Sequence, residues 1–314
     1  MSLKIEGSNI KIHKIIVNKS EGDRKMKIST EINSASNIVG ERKAIELYGK
    51  AGFDCWDFSM FKMCRWDWGR GCPVEEDHPL KGANYLAFAR ELKSIGEAFG
   101  MECNQSHAPF PTDKPQVKDV LKRALECTAE AGGKICIVHP VNNWDAQRNA
   151  EFYFELLPFA KECGVKIATE NMWNWTRENG LNQAAKAACS HHDDFNAHLD
   201  AVNDEFFTAC LDIGHAEMKG LDTDAPRMIR ALGKRLGALH IHDNDCWRDL
   251  HQLPFEGSID WVAITKALKE IDYKGEMTLE ADTYLQAFNA ENIEEGVKNM
   301  ADAARKLVEM FENA

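Results

Sequence analysis

Glu170, Asp212, His240 and Glu280 each close a short apolar run, in the segments KIATEN, CLDIGH, ALHIHD and MTLEAD. Carboxylates and imidazoles bind hard or borderline divalent cations. One such ending has an ordinary explanation, a hydrogen-bonded polar group finishing a strand. Four in series predict one divalent-metal site assembled from distant parts of the chain, because several carboxylates crowded together without a cation would repel. Three carboxylates and one imidazole also leave coordination positions open for substrate oxygens. His107 in NQSHAP, His139 in CIVHP and His215 in LDIGH end neighbouring runs and are expected either to bind metal or to orient a ligand or a substrate hydroxyl. His242 follows His240 by two residues and reads equally as a barrel-facing group or a packed histidine. Asp249 and His251 form a D-x-H spacing on a loop, open between metal ligand, substrate contact and turn. His191 and His192, in SHHDDFNAH, read as solvated.

Elements must bring these positions together. From Met26 a strand-then-helix pattern repeats eight times. The strand segments are MKISTEI, FDCWDFS, MECNQSHAP, KICIVHP, KIATENM, FTACLDIGH, GALHIHD and GEMTLEAD. The helical stretches that follow them are Ala44–Gly52, Ala83–Gly100, Val117–Gly132, Ala150–Gly164, about Leu181–Val202, Ala225–Gly233, Trp261–Ile271 and Ile293–Phe311. Alternation suits either a doubly wound sheet or a closed barrel. Eight units in unbroken rhythm, with polar residues ending strands three to eight, predict an α/β fold of one (β/α)₈ TIM barrel over residues 26–314, whose strand C-termini share a single mouth. Residues 1–25 read as a short N-terminal extension. No GxGxxG or GxxxxGK[ST] loop follows any strand, so no nucleotide cofactor is expected.

Composition narrows the setting. With 44% hydrophobic and 28% charged residues, the 314-residue chain is globular rather than disordered. A formal charge of −12 without a long Lys/Arg run speaks against nucleic acid as a partner. No apolar run reaches the roughly 18 residues of a membrane span, and the N-terminus lacks the apolar stretch of a signal peptide. Ten cysteines without a CxxC pair read as buried free thiols, which places the chain in the cytoplasm. Trp66 and Trp68 in one long loop, and Trp173 and Trp175 in another, either line a carbohydrate pocket or pack loop against barrel.

The segments SHAPF, IVHP, TENM, LDIGHAEM, LHIHDND, DLHQLPFEGSIDW and TLEAD resemble the xylose isomerase-like barrels, a group of sugar and sugar-phosphate isomerases and epimerases with endonuclease IV as a distant member. The resemblance implies a divalent ion (manganese, cobalt, magnesium or zinc) held by Glu170, Asp212, His240 and Glu280. It also implies that Glu170 and Glu280 act as acid and base, with His215 and Arg248 reaching the substrate; Trp173, as an aromatic face near the mouth, is a further candidate for substrate contact. The expected reaction is isomerisation or epimerisation of a sugar or sugar phosphate, with proton transfer through a metal-stabilised enediolate. A metal-dependent lyase, dehydratase or glycoside-cleaving enzyme on a sugar or polyol is the alternative, followed by a non-catalytic sugar-binding subunit. The resemblance to endonuclease IV matches nine ligand types, at His107, His139, Glu170, Asp212, His215, His240, Asp249, His251 and Glu280, and so admits up to three zinc ions and abasic-site cleavage. A homo-oligomer is compatible with all of these.

Overall fold

Eight parallel strands follow one another around a ring: β1 (Ile28–Thr30), β2 (Cys55–Ser59), β3 (Glu102–His107), β4 (Ile135–Ile137), β5 (Lys166–Glu170), β6 (Phe207–Asp212), β7 (Leu236–His240) and β8 (Met277–Leu279). The computed structural model describes residues 26–178 and 180–314, so the extension expected over residues 1–25 lies outside the described residues. Strands β2 to β7 form one continuous sheet in chain order, and β1 pairs with β8. Parallel bridges between Glu31 and Asp57 and between Ile241 and Leu279 join the two sheets, closing the ring as a (β/α)₈ barrel.

Helices follow the strands on the outside, at Glu41–Ala51, Tyr85–Ala98, Leu121–Ala131, Ala146–Cys163, His192–Val202, Ala225–Leu232, Trp261–Glu270 and Ile293–Glu312. Asp145, Asp224 and Asp260 cap three of them by accepting backbone N–H groups. The main core lies between strands and helices, where Tyr48, Trp56, Phe58, Tyr153 and Phe195 are buried. Inside the ring, Ile137, Ala168, Cys210 and Ala238 pack as a small cluster. Side chains alternate along a strand, so the residues two positions further on, His139, Glu170, Asp212 and His240, share that inward direction at the C-terminal rim. Small residues below and ligand types above are therefore consequences of one period-two pattern.

The stretch Leu181–Val202 is not one helix, as its alanines suggest. Asn174–Glu178 and Leu181–Ala185 form an antiparallel hairpin, with Gly180 at φ +81, and the helix begins only at His192. Backbone pairing across the turn overrides a helical propensity worth only tenths of a kcal/mol per residue. A second hairpin pairs Trp66–Asp67 with Cys72–Pro73. The ten cysteines are free, most of them buried. Among the described residues, no helix is long and apolar enough to cross a membrane.

Candidate metal centre and substrate pocket

His240 stands at the middle of the first group of donors. Its Nδ1 is 3.1 Å from Glu170 Oε1 and 3.3 Å from Glu280 Oε2, so the two glutamates flank one imidazole nitrogen. Its Nε2 faces Asp57 Oδ2 at 3.3 Å, and Gln105 donates to the same oxygen at 2.8 Å. The other Glu170 oxygen lies 3.1 Å from His139 Nε2 and 3.6 Å from His107 Nε2. Backbone pairing places these groups: Cys210 is in register with Glu170, and Asp212 with His240.

A second group adjoins it. Asp249 is approached by His251 Nε2 at 3.1 Å, His215 Nε2 at 3.4 Å and His242 Nε2 at 3.5 Å. Asp212 Oδ1 lies 3.0 Å from His242 Nε2 and accepts the His215 backbone N–H at 2.7 Å. His242 thus points inward, and its ring fills the space a side chain on Gly214 would need, 1.9 Å from the Cβ position. The ring nitrogens follow one rule. His107, His215 and His251 place Nδ1 2.8 to 2.9 Å from the carbonyl oxygens of Ala108, Asn171 and Glu280. A carbonyl only accepts, so Nδ1 carries a proton and Nε2, facing the carboxylates, is the nitrogen that would exchange its proton for a metal ion, the arrangement typical of metal-binding histidines.

Three observations fit this donor set to divalent metal. Asp212 Oδ2, Asp249 Oδ1, Asp57 Oδ1 and His242 Nε2 are buried without a well-aligned hydrogen-bond partner, although His242 Nε2 is close to Asp212 and Asp249 Oδ1 to His251. No Lys or Arg among the described residues is buried with them to balance the carboxylates. The donors also cluster within ligand-sharing distance, as His107, His139 and Glu170, as His107, His240 and Glu280, and as His215, His242, Asp249 and His251. With protons as the only balancing cations, burial pushes the Glu280 carboxyl well up, reinforced by Glu170. Burial acts the same way on Glu170, but His240 and His139 outweigh it and hold that carboxyl well down. Burial lowers His139 to about 4, whereas Asp212 and Asp249 overcome burial at His215 and lift it to about 10.

Glu170, Glu280, His107, His139, His215, Asp249, His251 and Trp173 line a cavity of about 480 Å³, with Asp212, His240 and His242 buried beneath. Trp173 meets Trp175 edge-on at 4.6 Å and lies 6.3 Å from His215. Arg248 is the exception among the expected site residues. It turns to solvent and pairs with Asp245 at 2.7 Å, so it does not line the cavity. His191 and His192 remain partly exposed beside Asp193, away from the mouth. Sequence reasoning passed over Asp57, Phe61 and Phe110. The only signal for Asp57 is an ionisable residue inside an otherwise apolar strand.

The sequence pattern of the family described as "Xylose isomerase-like TIM barrel" matches residues 45–311. The D-psicose 3-epimerase of Ruminiclostridium cellulolyticum is 26% identical over 249 residues, 75% of this chain and 76% of that protein. A solved D-tagatose 3-epimerase-like protein superposes with a TM-score of 0.66 at 20% identity, covering 92% of this chain and 99% of the other. The IOLI protein, solved with a bound zinc atom, gives the same TM-score at 16% identity, with 92% and 99% covered.

Proposed function

The chain belongs to the xylose isomerase-like TIM barrels, and from that premise we propose that it is a divalent-metal-dependent sugar isomerase or epimerase. The observation that carries the proposal is Glu170 and Glu280 flanking His240 Nδ1 at 3.1 and 3.3 Å, both facing the cavity. Glu170, Asp212, His240 and Glu280 would hold the ion. When bound, that ion supplies Lewis acidity to a carbonyl and a neighbouring hydroxyl, which favours the enediolate form of the substrate. The remaining chemistry belongs to the chain. One glutamate takes the proton from the carbon between those oxygens and the other returns a proton, to the opposite face of the same carbon in an epimerase or to its neighbour in an isomerase. Their contrasting surroundings, Glu280 pushed up and Glu170 held down, suit an acid and a base respectively. The epimerases among its relatives support a ketose as the substrate.

A second reading concerns the number of ions. His215, His242, Asp249 and His251 form a further donor group, as in an enzyme with more than one metal. A phosphodiester strand is disfavoured, since Lys114 is the one Lys or Arg lining the cavity among the described residues and it pairs with Asp113 at 2.7 Å.

The test is solvent exchange. In D₂O with Mn²⁺ and a panel of ketohexoses, NMR should detect loss of the proton next to the carbonyl. Glu170→Gln and Glu280→Gln should each slow it by about 10³-fold, in line with general acid–base catalysis, with the fold unchanged by circular dichroism. Substantial exchange in both variants would defeat the acid–base assignment. Metal analysis of the same samples counts the ions, and nicking of an abasic-site duplex would favour the endonuclease reading.

A further inference from the structure

A second cavity of about 190 Å³ adjoins the first, lined by Asn33, Asn37, Phe61, Lys62, Arg65, Trp66, Trp68 and Phe110. Phe61, Trp68 and Phe110 belong to both, so the two spaces share an aromatic wall. Phe61 meets His107 edge-on at 4.8 Å and Phe110 at 5.2 Å, which ties this wall to the donor groups on the barrel axis. A molecule whose reacting carbons lie over Glu170 and Glu280 would reach the second space by crossing this shared wall.

The lining indicates what would enter. Trp68 is 69% exposed at the rim, an indole that the protein's own packing leaves uncovered. Trp66 stands on the same hairpin. The Asn33 and Asn37 side-chain amides make no hydrogen bond to the described residues, so each has donors and an acceptor to offer. The two cations are already engaged: Lys62 holds Glu41 at 2.7 Å, a pair that is itself mostly buried, and Arg65 holds Glu76 at 3.2 Å. Flat aromatic faces beside unengaged amides, with the charges internally balanced, match an uncharged polyhydroxylated ring. Its C–H face stacks on indole and its hydroxyls bond to amides. An anionic group would compete with Glu41 and Glu76 for these cations.

We propose that the second cavity is a subsite for a second, uncharged sugar ring, so that the preferred substrate is a glycosylated ketose rather than a free hexulose or a sugar phosphate. The inference rests on the sugar-enzyme reading above and names the substrate class of that site.

Binding distinguishes the possibilities. Calorimetry on the Mn²⁺-loaded protein would compare D-fructose, D-fructose 6-phosphate and three glucosyl-fructoses joined through oxygen 4, 5 or 6 (maltulose, leucrose and isomaltulose), all with a free carbonyl. At least one disaccharide should bind about tenfold tighter than D-fructose, the value of one well-stacked ring. Trp66→Ala and, separately, Asn37→Ala should erase that preference while leaving the affinity for D-fructose unchanged. Equal affinity for fructose and all three disaccharides would overturn the proposal. So would tightest binding of the phosphate ester, or variants that weaken fructose and disaccharide alike. Failure of the parent reading looks different: no sugar in the panel would exchange its proton with solvent, whatever the order of affinities.

Discussion

With Oδ2 3.3 Å from His240 Nε2 and Oδ1 lacking any partner, Asp57 fixes the tautomer of the central histidine. A carboxylate only accepts, so Nε2 keeps its proton toward Asp57, and Nδ1, between Glu170 and Glu280, is the nitrogen that would give up its proton to a metal ion. Asp57→Asn replaces that acceptor with an amide that can present N–H to the ring, which favours the proton on the wrong nitrogen. Metal affinity should fall by about 10–100-fold, the usual loss when the partner behind a ligand is removed, while the thermal midpoint of the metal-free protein barely moves. Competition against a chromophoric chelator measures the first and calorimetry the second; an unaltered affinity would remove Asp57 from the site. The strand-end residues were legible because an apolar run marks the strand and the first polar residue marks its rim. Asp57 was not, because it lies within CWDFS, where only its charge among apolar neighbours is unusual. Arg248 misled because spacing cannot tell that Asp245, three residues earlier, captures its guanidinium.

At the scale of elements, the loop after β7 carries Asp249 and His251, and Asp243 is the peg on which it hangs. The buried Asp243 carboxylate accepts N–H groups from Asn244 at 2.9 Å, Phe255 at 2.9 Å, Ile259 at 3.2 Å and the Trp261 indole at 3.0 Å. A Cβ on Gly257 would lie 2.3 Å from the same carboxylate, so the chain closes around it without room to spare. His251 at φ +45 and Phe255 at φ +79 hold left-handed conformations that non-glycine residues adopt at a cost. Asp243→Ala leaves several donors unsatisfied and should destabilise the protein by roughly 3 kcal/mol. Because the loop relaxes first, metal bound through Asp249 and His251 should be lost before metal bound through His240. Denaturant titration and metal per chain check the two parts, and an undisturbed midpoint would mean that the hub bears no load. The eight strand–helix units were readable because period-two and period-3.6 patterns are local. The hairpin after β5 was not, since its second strand was absorbed into the helix expected from Leu181, although the Asn179-Gly180 pair in the sequence is a local sign of a turn.

The whole molecule depends on closure, and Glu31 sits where the ring closes, bridged to Asp57 across β1 and β2. Its buried carboxylate is held by the Ser34 backbone N–H and hydroxyl and by Ser59 at 3.4 Å. Burial, with Asp282 and Asp57 adding repulsion, nonetheless raises its pKa from 4.5 to about 7. Between pH 4.5 and 7 the folded chain therefore holds a proton that the unfolded chain has released, so stability falls as pH rises through that window and levels off above it. His215, raised to about 10, has the same sign at higher pH: its contribution is complete below the unfolded value of 6.5 and disappears as pH approaches 10. Asp212, lowered to about 2, has the opposite sign, but its contribution changes only below pH 4. His139, lowered to about 4, works against Glu31 in nearly the same window, because burial of its neutral ring costs less as pH rises from 4 to 6.5. Glu31→Gln isolates the first of these terms, since glutamine resembles the protonated acid in shape and stays neutral. The variant and the parent should unfold alike at pH 4, and by pH 8 the variant should be the more stable by up to about 3 kcal/mol, the free energy of the pKa shift. Urea titrations of both proteins in chelator at the two pH values decide it. A variant that is no more stable than the parent at pH 8 would mean that Glu31 ionises freely and that the seam between β1 and β2 already tolerates its charge.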